Sequence, residues 1–165
     1  MFSDGTCLNL RIRRPKTSDQ VQVRYAKENE FPAIAELWHN GLSSEDGTPW
    51  ADYLRRWTPN GAAKWFLDSR KRLGARMIVA EKDEKIVGLS GLLLEKKSGI
   101  GRMFTGIVVA SEQRRCGIGS ILLYRTLLES KREGLRHVEV ETLEGITASK
   151  HLYHKFGGKE RIVHS

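Results

Sequence analysis

Residues 107–123 constrain this chain more than any other stretch. The β-branched run Ile107-Val108-Val109 leads into a basic, glycine-bearing turn, and Ser120-Ile121-Leu122-Leu123 then opens a segment of strong helix formers. Strand, turn and helix follow one another with no room for anything else. Gly117 and Gly119 let the backbone turn tightly and approach a ligand closely, while a helix start presents unpaired N–H groups and the positive end of its dipole. A corner of this kind holds phosphate. Arg114 and Arg115 beside it suit a multiply charged anion such as a pyrophosphate, because guanidinium groups form paired hydrogen bonds to phosphate.

The glycine spacing narrows the choice of nucleotide. A Walker loop carries Lys-Ser or Lys-Thr after its last glycine, and here Ser120-Ile121 follows Gly119. A dinucleotide fingerprint needs a third glycine where Leu122 stands. Neither an ATP grip nor a dinucleotide site fits.

Arg114-Arg115-Cys116-Gly117-Ile118-Gly119 resembles the Arg/Gln-x-x-Gly-x-Gly/Ala signature of the GNAT superfamily of N-acetyltransferases. A second block, Ser149-Lys150-His151-Leu152-Tyr153-His154-Lys155-Phe156-Gly157, is similar to that family's small-x-x-Leu-Tyr-x-Lys-x-Gly segment, in the expected order and at the expected separation. The resemblance extends over about residues 21–160 and is most specific within 107–157. It implies a mixed α/β fold in which antiparallel N-terminal strands lead to two splayed parallel strands, with flanking helices. It also implies acetyl-CoA as cofactor, held by Val108, Val109, Arg114, Arg115, Cys116, Gly117, Ile118, Gly119, Ser120 and Ser149.

Composition is consistent with one soluble domain. A chain of 165 residues can bury a sizeable core but is short for two ordinary domains. With 39% hydrophobic and 29% charged residues, neither disorder nor a membrane span is implied. The formal charge of +8 favours acidic partners, of which coenzyme A is one and nucleic acid another. Positive residues are scattered among acids and no nucleic-acid motif is evident, so no nucleic-acid partner is expected. Cys7 and Cys116 have neither disulfide nor metal-ligand spacing, and no metal is expected. Cys116 occupies a place that the signature leaves free, which favours a variable loop position over a nucleophile. Residues 1–20 carry Arg11, Arg13, Arg14 and Lys16 without an apolar secretory core, which reads as a basic, flexible tail on a cytoplasmic protein, with a short strand at 8–12. Residues 21–165 form the domain.

Along that domain, Val21, Val23 and Tyr25 alternate as a first strand, and 28–40 reads as a helix closed by Gly41. Residues 41–61 mix turn formers with Trp50, Tyr53 and Trp57, and 62–73 forms a second helix stopped at Gly74. The resemblance sets these elements over the acceptor side, where Trp50 and Trp57 would line a pocket or pack in the core, and Glu45 or Asp46 would attract an amine or simply face water. Residues 76–81 and 86–94 read as a hairpin, with Gly88 and Gly91 weakening the second strand or marking a bulge. One strand at 102–109 then feeds the glycine turn. The helix at 119–132 directs Ile121, Leu122, Leu123, Leu127 and Leu128 to the sheet and Arg125, Glu129, Lys131 and Arg132 to water. A strand at 137–143, parallel to the one before the turn by a right-handed crossover, a last helix at 147–156 and a short strand at 161–163 complete the chain.

Acetyl transfer to an amine requires a base, an oxyanion donor and an acid. What the resemblance implies is an oxyanion donor among the backbone N–H groups of Val108 or Val109, with Tyr153 as acid and Glu141 as base, directly or through water. Glu139 points the same way as Glu141 by alternation and is the fallback. Met103 stands where other members carry a base glutamate, and Ile146 stands near the asparagine that holds the pantetheine arm in many relatives. The Gly-Phe pair that usually follows the tyrosine helix is Gly157-Gly158 here, and a closing hairpin has no room before Ser165, which leaves a shorter sheet edge or one completed in a homodimer. The acceptor is expected to be an amine on a small molecule or protein, with no membrane involved. Two rival readings are a non-catalytic acyl-CoA-binding or regulatory module and a basic nucleic-acid-binding protein.

Overall fold

Hydrophobic alternation in the sequence becomes one twisted sheet in the computed structural model, which describes residues 2–3, 20–43, 58–114, 116–140 and 148–159. In chain order these form β1 (Phe2–Ser3), β2 (Val21–Tyr25), α1 (Phe31–Ser43), α2 (Pro59–Leu73), β3 (Arg76–Lys82), β4 (Lys85–Glu95), β5 (Ile100–Arg102), β6 (Ile107–Val109), α3 (Ile118–Arg132), β7 (His137–Val140) and α4 (Ala148–Lys155). The sheet order is β1-β7-β5-β4-β3-β2, with β6 also paired to β4. All pairs are antiparallel except β5 with β7, so the mixed, antiparallel-first sheet expected from the sequence is present. Residues of the expected strands at 8–12 and 161–163 lie outside the described set.

Two apolar layers cover the sheet. On one face α1 and α2 bury Phe31, Ile34, Trp38 and Phe66 against Met77, Val79 and Leu89. On the other, α3 packs Leu123 and Leu127 against Leu92, Met103, Val138 and Val140, and Tyr153 of α4 joins that cluster. Each large side chain so buried contributes about 1.5–3 kcal/mol.

Local chemistry explains where the elements begin and end. Thr58 caps α2 by accepting a hydrogen bond from the Gly61 N–H at 3.0 Å, and Pro59 fits its first turn, so the helix starts earlier than residue 62. Gly74 ends it in the left-handed conformation, as expected. Gly41 does not close α1, which continues to Ser43. A Cβ at Gly41 would lie 2.4 Å from Val108 Cγ1, so this glycine serves close approach of the helix to β6 rather than termination. The β3–β4 register shifts beside Ala80, next to Gly88, and a Cβ at Gly88 would meet Leu122 at 2.7 Å. The glycine there both neighbours a bulge and admits α3.

Two further expectations are corrected. The single strand at 102–109 is two strands, β5 and β6, broken at residues 103–106, where Gly106 has φ +66°. Glu129 does not face water. It is 5% exposed, accepts a hydrogen bond from the Tyr25 hydroxyl, and lies 4.0 Å from the guanidinium Nε of both Arg76 and Arg125. The ends of β2 and β3 cover that flank of α3, and a buried carboxylate persists because it has these partners. Phe2 and Ser3, within the segment read as a tail, pair with Val140 and Glu139 at the outer edge of β7.

Candidate functional site

The broken strand creates the site. Both halves run along the same edge of β4: Ile107, Val108 and Val109 stand opposite Ser90, Leu89 and Gly88, while Ile100, Gly101 and Arg102 stand opposite Glu95, Leu94 and Leu93. On its inner edge parallel β7 pairs with β5, and the last link there is the Met103 N–H to the Glu139 carbonyl at 2.8 Å. Beyond that point, among the described residues, the outer edge of β6 has no strand beside it. The Ile107 N–H is directed to that edge and donates to the Tyr153 hydroxyl oxygen at 3.2 Å, whereas the Ala110 N–H turns inward to the Val87 carbonyl at 2.8 Å. Period-two alternation therefore sets the Val109 N–H on the outer edge with Ile107. Val108 is buried, its backbone committed to β4.

From β6 the chain makes a 3-10 turn at Ser111–Gln113 and reaches Gly117, whose φ of +79° is left-handed. Gly117 is the N-cap of α3 and offers no side-chain cap. The first helical bond runs from the Ile121 N–H to the Gly117 carbonyl at 3.1 Å, so the N–H groups of Ile118, Gly119 and Ser120 precede the helical ladder. Ile118, 1% exposed, anchors the corner by packing with Ile78 and Leu122. Ser120 is buried, and Arg114 and Cys116 are exposed at the mouth. An uncapped helix start with an arginine beside it is an electropositive corner built largely of backbone. Gly119 lets α4 approach, since a Cβ there would lie 3.2 Å from Leu152 Cδ2.

That approach carries Tyr153 to the open edge. Its ring is 4% exposed among Leu92, Met103, Val138 and Val140, and its hydroxyl lies 3.7 Å from where a Cβ on Gly106 would be. Burial pushes the phenol up to about 12, opposed by the smaller effect of the Ile107 N–H. It therefore carries its proton throughout the neutral range.

The remaining sequence candidates divide clearly. Glu139 lies on the α1–α2 face, its carboxylate held by Arg102 at 2.9 Å, and Arg102 also holds Glu95 at 2.7 Å. Met103 is buried core. Ser149 belongs to the first turn of α4. Glu141, Arg115, Ile146, Trp50, Trp57, Glu45 and Asp46 lie outside the described residues, as does the Ser149 side chain. The break that opens the β6 edge has a sequence signal in Gly106, a glycine inside an apolar strand pattern.

Comparison with known proteins agrees with this fold. The family model described as Acetyltransferase (GNAT) family matches residues 31–158. The fold is similar to that of the ribosomal-protein-alanine N-acetyltransferase from Brucella melitensis, with TM-score 0.68 and 24% identity, covering 82% of this chain and 83% of that one. It is also similar to YncA from Salmonella typhimurium, solved with its cofactor acetyl-CoA, with TM-score 0.66 and 20% identity over 84% and 79% of the two chains. The PaiA N-acetyltransferase from Thermoplasma acidophilum, in complex with coenzyme A, matches with TM-score 0.67 and 13% identity over 82% and 87%.

Proposed function

Because the chain belongs to the GNAT acetyltransferase family, we propose that it transfers an acetyl group from acetyl-CoA to a primary amine. The observation that carries this reading is the adjacency of two features. An uncapped helix start at Gly117 lies at one end of a strand edge that is unpaired among the described residues, and a buried, protonated tyrosine lies at the other.

The residues present fit the cofactor. Gly117, Ile118, Gly119 and Ser120 would hold the diphosphate through backbone N–H groups, with Arg114 and Arg115 adding charge and Cys116 contributing backbone alone. The outer edge of Val108-Val109 would hold the pantetheine arm as an added strand, because Val109 directs an unpaired donor there. Ser149 would close the cofactor set from the start of α4. When bound, acetyl-CoA supplies the acetyl group as a thioester and departs as the thiol.

Around that transfer, this chain's residues move two protons. The incoming ammonium must be neutral to attack, and Glu141 takes its proton, directly or through a water. Arg102 already occupies the Glu139 carboxylate, which leaves Glu141 the better base. The new bond joins the amine nitrogen to the acetyl carbon as the carbon–sulfur bond breaks, and Tyr153 gives its phenolic proton to the departing sulfur. The Val109 N–H lies on the edge where negative charge on oxygen would need a donor. Products are the N-acetyl amine and coenzyme A: the second proton on the nitrogen leaves as the amide forms and returns through water to Tyr153, while Glu141 releases the first to bulk water.

Calorimetry with acetyl-CoA, followed by thiol release against a panel of primary amines, tests the proposal. Tight binding with amine-dependent thiol release is the expected result. Binding without turnover on any amine would instead favour the non-catalytic acyl-CoA-binding module, and no binding would remove both.

A further inference from the structure

We infer that Phe104 and Trp65 determine acceptor specificity, selecting a primary amine carried on an apolar carbon skeleton over a polycationic amine. This rests on the acetyl-transfer reading above and names the acceptor class for the same site.

Alternation along the chain sends the consecutive side chains of Met103 and Phe104 to opposite faces of the sheet. Met103 enters the cluster beneath α3 that contains Tyr153, while Phe104 packs against the cluster beneath α1 and α2. Tyr153 thus reaches the β6 edge from one face, and Phe104 flanks the same short segment on the other. Phe104 is held firmly. Its ring is edge-on to Trp65 at 5.3 Å and to Phe66 at 6.1 Å between centroids, and a Cβ at Gly91 would lie 2.9 Å from its ring carbons. The Gly91 N–H also donates to the Thr105 hydroxyl at 2.7 Å, which locks the neighbouring residue. Trp38 and Phe66 behind them are fully buried, yet Trp65 and Phe104 are only half-buried. Two large apolar rings are therefore left partly open beside the reacting edge, where a ligand could complete their burial.

Charge around this wall favours a single cation at the amine and disfavours a second one farther out. On the sheet face shared with Phe104, Arg102 is bridged by both Glu95 and Glu139, two carboxylates to one guanidinium. An arriving ammonium meets a net negative group there. Trp65 also lines a surface depression of about 410 Å³ with Lys64, Leu67, Asp68 and Lys71. Asp68 is already paired with Arg72, and Lys71 with Glu28, so Lys64 contributes positive charge where the far end of an extended polyamine would lie.

Initial rates with 2-phenylethylamine and with cadaverine at saturating acetyl-CoA test the inference. Wild-type kcat/KM should favour 2-phenylethylamine by about tenfold or more. Phe104→Ala should raise the KM for 2-phenylethylamine and narrow that ratio, with cofactor affinity measured by calorimetry unchanged, and Phe104→Leu should recover much of it. A wild-type preference for cadaverine, equal use of the two amines, use of neither, or a ratio unmoved in Phe104→Leu and Phe104→Ala overturns the inference while leaving the cofactor assignment intact. Loss of acetyl-CoA binding by the wild-type chain would strike the acetyl-transfer reading itself.

Discussion

The two sides of the β6 edge are made of different material. The corner at 114–120 is contiguous in sequence, and what it offers a ligand is chiefly backbone N–H groups at an uncapped helix start. Across the break, the wall of Tyr153, Phe104 and Trp65 draws on α4, the β5–β6 segment and α2, and what it offers is side chains. A site made of backbone depends on φ values and on the absence of Cβ atoms. A site made of side chains depends on packing between elements far apart in the chain. The same small change should therefore act through different terms on the two sides.

The largest expected effect is at the corner. Gly117→Glu sets an anion at the helix start and forces an L-residue to φ +79°, so acetyl-CoA binding should vanish in calorimetry. Wild-type affinity in that variant would show that the corner is not the anion site and would erase the contrast. Next comes Tyr153→Phe, which should slow kcat by about tenfold to thousandfold with cofactor affinity nearly kept. A wild-type rate would take Tyr153 out of the mechanism. Its pH behaviour sharpens the point. The folded phenol is raised above its usual value near 10 to about 12, so its contribution to stability is complete below pH 10 and is lost as pH rises through 12. The kcat profile should then show no alkaline limb from this group below about pH 10. The smallest effect is expected for Gly119→Ala. Gly119 is helical, and the closest contact of its added Cβ would be the flexible end of Leu152 at 3.2 Å, with Ile107 and Val109 at ordinary van der Waals distance, so the cofactor Kd should rise by less than about fivefold with kcat kept. A large loss in kcat there would mean that the corner and the tyrosine helix are mechanically one unit.

Legibility in the sequence follows the same division. The glycine turn, the helix after it and the tyrosine block could be read because each is a local pattern whose meaning lies in adjacent residues. Misreadings arose where a distant neighbour decided the outcome. Gly41 has the appearance of a helix stop in its own segment, yet the helix runs through it and its missing Cβ makes room for Val108, which lies 67 positions further along the chain. Glu129 falls on the polar side of an isolated helix, and only Tyr25 and the two arginines show that this side is covered. Phe104 reads as one more apolar strand residue until packing sets it beneath α1 and α2 beside Trp65 and Phe66.

By itself the sequence determined most of the order of strands and helices from β2 onward, and the family, because hydrophobic period and glycine placement act over a few residues. Only the tertiary structure decided that, among the described residues, β7 leaves the outer edge of β6 without a strand, that Tyr153 meets that edge with its proton retained, and that Trp65 and Phe104 stay half-buried near it. Those outcomes depend on which surfaces exclude water from one another, and that is settled when remote segments pack together.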